Sequence, residues 1–154
     1  MAALVDAYAL PALLVPPAVD PAAREALEAL TARGYVLAVV SNTMRTPGAT
    51  LRKLLERYGL LALFTHTTFS DEVGVRKPAP EIFALSLRAV GGAAASAVHV
   101  GDDAVLDVEG ARAAGMRVIQ VRTTPGRSPA GQTADAVIPG LAALPAAIER
   151  LDVG

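Results

Sequence analysis

The 154-residue chain reads as an α/β protein: a three-layer parallel sheet with helices on both faces. Three observations predict this class. Short β-branched runs alternate with longer stretches of helical periodicity. Helical stretches open on Asp20-Pro21, Thr46-Pro47 and Pro80, and glycine closes them at Gly34, Gly59 and Gly115. The polar residues able to do chemistry fall just after the apolar runs, where a parallel sheet gathers its loops.

Taken in order, Asp20 is the expected N-cap of a first helix, which buries Ala23, Ala26, Leu27 and Leu30. Tyr35 to Val40 is a continuous apolar strand, ended by Ser41-Asn42-Thr43. Thr46-Pro47 caps a second helix that buries Leu51, Leu54, Leu55 and Tyr58. Phe64 to Phe69 is a strand, and Asp71-Glu72 after it reads as a turn. A loop with Lys77-Pro78 leads to a helix from Pro80 to Val90, then to a buried strand at Ala97 to Val100. Gly101-Asp102-Asp103 opens the next helix, which runs to Ala114. Val118 to Val121 and Ala136 to Ile138 are further strands, and Leu144 to Leu151 is a closing helix. Gly126 to Thr133 is the expected mobile loop.

Composition narrows the function classes. Fourteen Lys+Arg against 15 Asp+Glu give a net charge of −1, which excludes the basic field of unspecific nucleic-acid binding. With no cysteine there is no disulfide, thiolate metal site or cysteine nucleophile. Much of the 53% hydrophobic content is alanine, which buries little area, so that percentage overstates the core. The apolar start, Ala2 to Val15, has no basic residue before Arg24 and is broken by Asp6 and Pro11. Neither a secretory signal nor a membrane span is expected there, and the reading is a soluble, cytoplasmic protein with no membrane partner.

Singly, the polar residues have ordinary explanations. Ser41-Asn42 can cap a turn, Lys77 can be solvated, and Asp102 and Asp103 can cap the following helix. Asp107 can pair with Arg112 or face water, and His99 can pack in the core. In order they are far more specific. V-V-S-N at Val39–Asn42, G-V-R-K-P-A-P-E-I-F at Gly74–Phe83 and V-H-V-G-D-D-A-V-L-D-V-E-G-A-R-A-A-G-M at Val98–Met116 together resemble the haloacid dehalogenase-like (HAD) hydrolases.

That resemblance runs from about Pro16 to the C-terminus and implies a HAD-like, Rossmann-like core over residues 16–154. Residues 1–15 then read as the remnant of a cap-domain helix and its linker. It implies that Ser41 binds a phosphoryl oxygen, with Asn42 adding a donor, and that Lys77 neutralises the nucleophile and the transferring group. It implies Mg²⁺ held by Asp102, supported by Asp107, with Asp103 a further candidate. The expected activity is Mg²⁺-dependent hydrolysis of a small phosphorylated metabolite. Phosphoryl transfer calls for this mixture of cation, hydroxyl, backbone donors and metal.

One family element is not found. The D-x-D motif that ends the family's first, central strand, and supplies the aspartate nucleophile, occurs nowhere in the chain. Asp6, after Ala2-Ala3-Leu4-Val5, is the candidate left for that role, although position 8 is tyrosine. The expectation is therefore a truncated core without its central strand, active when a strand from another chain or a homo-oligomer supplies it. The alternative is a non-catalytic phosphate- and Mg²⁺-binding or interaction module derived from such a hydrolase.

Overall fold

The computed structural model describes residues 12–15, 17–122 and 133–153. Asp6, the segment 1–11 and nearly all of the expected loop 126–133 lie outside them. Residues 12–14 form a helical turn, and the Leu13 carbonyl accepts from Arg57 Nη1 at 3.0 Å.

Helix α1 (Ala23–Ala32) leads to strand β1 (Ala38–Ser41), helix α2 (Gly48–Arg57) and strand β2 (His66–Phe69). After the short α3 (Ser70–Val73) comes α4 (Pro80–Ala89), then β3 (Val98–Gly101). The segment Ala104–Glu109 winds in wide turns, with Val108 N–H reaching the Asp103 carbonyl at 3.1 Å, and continues into α5 (Gly110–Ala113). Strands β4 (Arg117–Val121) and β5 (Ala136–Ile138) and helix α6 (Leu144–Val153) complete the fold. The elements fall where the sequence pattern puts them. The short α3, in place of a plain turn at Asp71-Glu72, is the addition.

Two expected caps are built differently. Asp20 Oδ1 accepts from Ala22 N–H at 2.9 Å, as a cap should, but Oδ2 reaches across to Leu141 N–H at 3.0 Å. At α2 the Thr46 side chain makes no cap. The Gly48 N–H donates instead to the Asp71 carboxylate, at 3.1 and 3.3 Å, so a residue distant in sequence supplies the missing acceptor. A side chain at Gly48 would lie 2.6 Å from the Phe69 ring, which makes the close approach of α2 to β2 dependent on glycine.

All strand pairs are parallel, in two sheets among the described residues: β1 beside β2, and β3, β4, β5 in that order. Helices cover both faces. Leu30, Ile119, Ile138, Leu144 and Ile148 form one core layer, and Ile82, Phe83, Val108, Ala111 and Val118 the other. Val118 and Ile119 are both 0% exposed and, as strand neighbours, point into opposite layers. Each such burial is worth about 1.5–3 kcal/mol.

The apolar run Tyr35 to Val40 fares differently. Its ordered strand is Ala38–Ser41, Val36 is 61% exposed and Ala38 is exposed. The reason lies on its flank: β1 pairs with β2 alone, β3 with β4 alone, and no described strand lies between β1 and β3. A cavity of about 860 Å³ runs there, lined among others by Val39, Val98, Leu54, Tyr58, Phe83 and Ile148.

Candidate active site

Ser41 is the last residue of β1, and Asp102 directly follows β3, so both stand at strand carboxyl ends. The Ser41 hydroxyl has only a long contact, 3.5 Å, to the Asn42 carbonyl and keeps most of its bonding capacity. The Asn42 side chain makes two bonds to one residue: its Oδ1 accepts from Lys77 N–H at 2.7 Å and its Nδ2 donates to the Lys77 carbonyl at 2.9 Å. The loop after β1 is thereby clamped to the loop that carries Lys77, with the Asn42 side chain holding the lysine backbone.

Lys77 Nζ lies 2.6 Å from Asp107 Oδ1, and both side chains are largely buried. The same oxygen meets His99 Nε2 at 2.8 Å, while Oδ2 accepts from Asp103 N–H at 3.0 Å. Burial alone would push the Asp107 carboxyl up. The hydrogen bonds from His99, Lys77 and the Asp103 amide, with the lysine charge, outweigh that and hold it well below the usual carboxylate range. Asp107 stays ionised, and its partners are Lys77 and His99; Arg112 pairs with Asp135 instead.

Glycine makes this packing possible. A side chain on Gly101 would sit 2.2 Å from Asp107 Cγ, and one on Gly110 would sit 3.0 Å from the Pro78 backbone. The wide turns of Ala104–Glu109 set Asp107 over Gly101, and Asp103 starts them by accepting from Val105 and Leu106 N–H at 2.9 and 2.7 Å. One oxygen of Asp103 is thus spent as a cap. The Asp102 carboxylate is exposed and has no protein partner among the described residues, while its backbone carbonyl accepts from Gln120 Nε2 at 3.1 Å.

This donor set suits Mg²⁺ in part. Mg²⁺ keeps several waters and takes one or two carboxylates plus phosphate oxygens. Asp102 supplies one free carboxylate of that kind. Asp107, with both oxygens occupied, would support the site through Lys77 and the Asp103 loop. Among the described residues no three His, Asp or Glu side chains cluster as a closed metal site.

Two features escaped the sequence. His99 was expected to pack in the core; it is buried there, edge-on to Phe83 at 5.0 Å between ring centroids, yet it also bonds the central carboxylate. The second is a lock on the loop after Ser41, where Thr43 N–H donates to Ser70 Oγ at 2.9 Å and Thr43 Oγ1 donates to Asp71 Oδ1 at 2.8 Å. The signal for His99 was its place two residues before Gly101, which puts it in the same strand as the motif. No spacing rule announces the Thr43–Asp71 pair.

A fold of this kind, with a lysine and aspartates gathered at the carboxyl ends of parallel strands, defines a class. A model of the haloacid dehalogenase-like hydrolases matches residues 2–115, and the chain belongs to that family. It is 38% identical over 117 residues to ribulose-1,5-bisphosphate 5-phosphatase of Halopiger xanaduensis, a match covering 76% of this chain and 47% of that one. A HAD phosphatase from Thermococcus onnurineus is similar in structure, with a TM-score of 0.76 at 32% identity, over 84% of this chain and 58% of the other. A 2-haloacid dehalogenase from Pseudomonas syringae aligns with a TM-score of 0.74 at 30% identity, over 87% of this chain and 54% of the other. The chain spans about half the length of these proteins. No helix of the described residues is long and apolar enough to cross a membrane.

Proposed function

We propose that this chain is the core of a HAD-type phosphatase acting on a small phosphorylated metabolite, with a cytoplasmic setting as part of the proposal. The clamp from Asn42 through Lys77 to Asp107 carries the reading, because it ties the loop that follows Ser41 to the lysine and the lysine to a buried carboxylate. In this reading Ser41 and the Asn42 N–H bind phosphoryl oxygens and Lys77 offsets the charge that builds on them. Asp102 would hold Mg²⁺, which supplies further charge neutralisation when bound, and Asp107 keeps Lys77 in place; Asp103 contributes through the loop it caps.

The nucleophile is a carboxylate at the mouth of the gap between β1 and β3. Its oxygen attacks phosphorus, the phosphorus–oxygen bond to the alcohol breaks, and the leaving oxygen takes a proton. Water then hydrolyses the aspartyl-phosphate to free phosphate and returns the carboxylate. Asp6 is the chain's own candidate for this carboxylate. Otherwise a strand from outside the described residues brings it, from another chain or a second copy.

Hydrolysis of a panel of small phosphate esters with Mg²⁺ tests the reading, with Lys77→Ala and Asp102→Asn as controls. Turnover abolished by both substitutions and by Asp6→Asn is expected if the chain is self-sufficient. Turnover that appears only when a carboxylate-bearing strand is added is expected if it is not. A second reading is favoured by the full occupation of Asp107: a module that binds phosphate and Mg²⁺ without reacting. Thermal stabilisation by orthophosphate and Mg²⁺, with no turnover under either condition, would select it.

A further inference from the structure

Ser41 stands at the last rung of regular structure. The ladder between β1 and β2 ends where Ser41 lies opposite Phe69, and among the described residues no backbone bond carries it further. The chain then turns through a loop to α2. Its tip is open to solvent, with Met44 81% exposed and Arg45 exposed, so packing does little to steady it. The loop is fixed at its two feet instead, by polar bonds.

At the near foot, side chains take over the pairing that the backbone gives up. Thr43 Oγ1 donates to Asp71 Oδ1 at 2.8 Å and accepts from Asp71 N–H at 3.0 Å. Ser70 Oγ accepts from Thr43 N–H at 2.9 Å and, since the Thr43 proton is spent on Asp71, donates to Thr43 Oγ1 at 3.0 Å. At the far foot the same Asp71 carboxylate accepts from Gly48 N–H. One carboxylate thus holds both ends of the loop. A carboxylate suits the place because its two oxygens only accept, whereas an amide would turn an NH₂ toward one of the donors.

Asp71 is itself firmly seated. Beside it, Glu72 receives Arg52 Nη1 and Nη2 on its two oxygens at 2.5 and 2.6 Å. Arg52 Nε donates to Thr67 Oγ1 at 2.9 Å, and the guanidinium lies 4.9 Å from the centre of the Phe69 ring. The short α3 is thereby pinned to α2 and β2. Capping α2 needs the Gly48 bonds alone. The four bonds between Thr43 and the pair Ser70 and Asp71 serve no cap, and they act two residues beyond Ser41.

We propose that Asp71 is a positioning residue: working through Thr43, it sets the loop so that the Ser41 hydroxyl is held in place to meet a phosphoryl oxygen. The proposal deepens the phosphatase reading and rests on it for the role of Ser41. A hydroxyl that wanders by about an ångström loses much of its hold on an anion, so loosening the feet should weaken binding without removing any group that touches the ligand.

The test uses the full 154-residue chain and orthophosphate with Mg²⁺ as the probe, titrated by amide chemical shifts. The variants are Asp71→Asn, Thr43→Val, Thr43→Ser, Ser41→Ala and the double variant Asp71→Asn with Ser41→Ala. Amide exchange at Thr43 and Gly48 should quicken about tenfold in Asp71→Asn, because the bonds that protect them are lost. The orthophosphate Kd should rise about tenfold in Asp71→Asn and in Thr43→Val. Thr43→Ser keeps the hydroxyl and should stay within about twofold of the natural chain. With Ser41 already replaced by alanine, Asp71→Asn should add less than about twofold, because its effect passes through the serine.

A Kd unchanged in both Asp71→Asn and Thr43→Val overturns the proposal, and so does unchanged exchange at Thr43. An equal loss of affinity with and without Ser41 overturns it too, leaving Asp71 as a cap of α2. In each of these cases the natural chain still binds orthophosphate and the phosphatase reading stands. No response of the natural chain to orthophosphate and Mg²⁺ removes that reading and the positioning role together. Thr43→Val keeps the test decisive should Asp71→Asn fail to fold.

Discussion

Strands β4 and β1 are both short, parallel and apolar, yet only one is enclosed. In β4 the residues Val118 and Ile119 have no exposure, with β3 and β5 on the flanks and a helix layer on each face. In the run that leads into β1, Val36 is 61% exposed. Helices can cover the faces of a sheet, but only a strand covers a strand's flank, because the flank is a row of peptide groups. The three-stranded half is a finished core, and the two-stranded half is one whose inner edge is held at the ends by side chains. The clamp from Asn42 to Lys77 to Asp107 is the main such tie between the halves.

The largest effect should come from cutting that tie. Asp107→Ala leaves Lys77 and His99 facing each other without their shared acceptor. Breaking a buried pair this way costs ~3–5 kcal/mol. Urea unfolding followed by circular dichroism checks it, and a loss below about 1 kcal/mol would mean that helix packing alone joins the halves.

Next come matched truncations on the two strands. Ile119→Ala should cost ~2–5 kcal/mol, the usual range for an aliphatic side chain in an enclosed site. Val36→Ala, in the exposed run that leads into the open strand, should stay within ~0.5 kcal/mol. Equal losses would erase the contrast between enclosed and open strands. A finer comparison lies within β3 itself. In hydrogen exchange on the unliganded chain, the His99 amide, bonded to β4, should be the slower, and those of Val98 and Val100 on the open edge the faster; uniform protection along β3 would show the edge to be covered.

The contrast also explains what could be read in advance. Helices and strands were legible because apolar periodicity and Pro/Gly punctuation are local properties. So was the placement of Ser41 and Asp102 at strand carboxyl ends, where the loops of a parallel sheet converge. What could not be read lies in contacts between residues distant in sequence. Asp71 caps α2 from beyond β2, His99 shares Asp107 with Lys77, and the Asn42 side chain clamps the Lys77 backbone. The exposure of Val36 belongs to the same kind: an apolar run predicts burial, and burial depends on a neighbour that local sequence does not name.

The smallest expected effect concerns a tie between the start of α1 and the loop beyond β5. Asp20 precedes α1, whose Leu30 packs with Ile119 and Ile138 of the three-stranded half, and accepts from Leu141 N–H in the loop beyond β5. The Leu141 bond, and then the Ala22 bond, hold its carboxyl below its ordinary value of 3.8. A carboxyl whose folded value is depressed stabilises the fold above its unfolded value, and that contribution is lost as pH falls through the folded one. The Tm of the natural chain should therefore exceed that of Asp20→Ala by a few degrees or less near pH 6, and the difference should shrink below about pH 4. Thermal melts of both proteins from pH 6 to pH 3 measure it. A difference that stays constant over that range would mean that the Asp20 charge plays no part and that α1 is joined to that loop by packing alone.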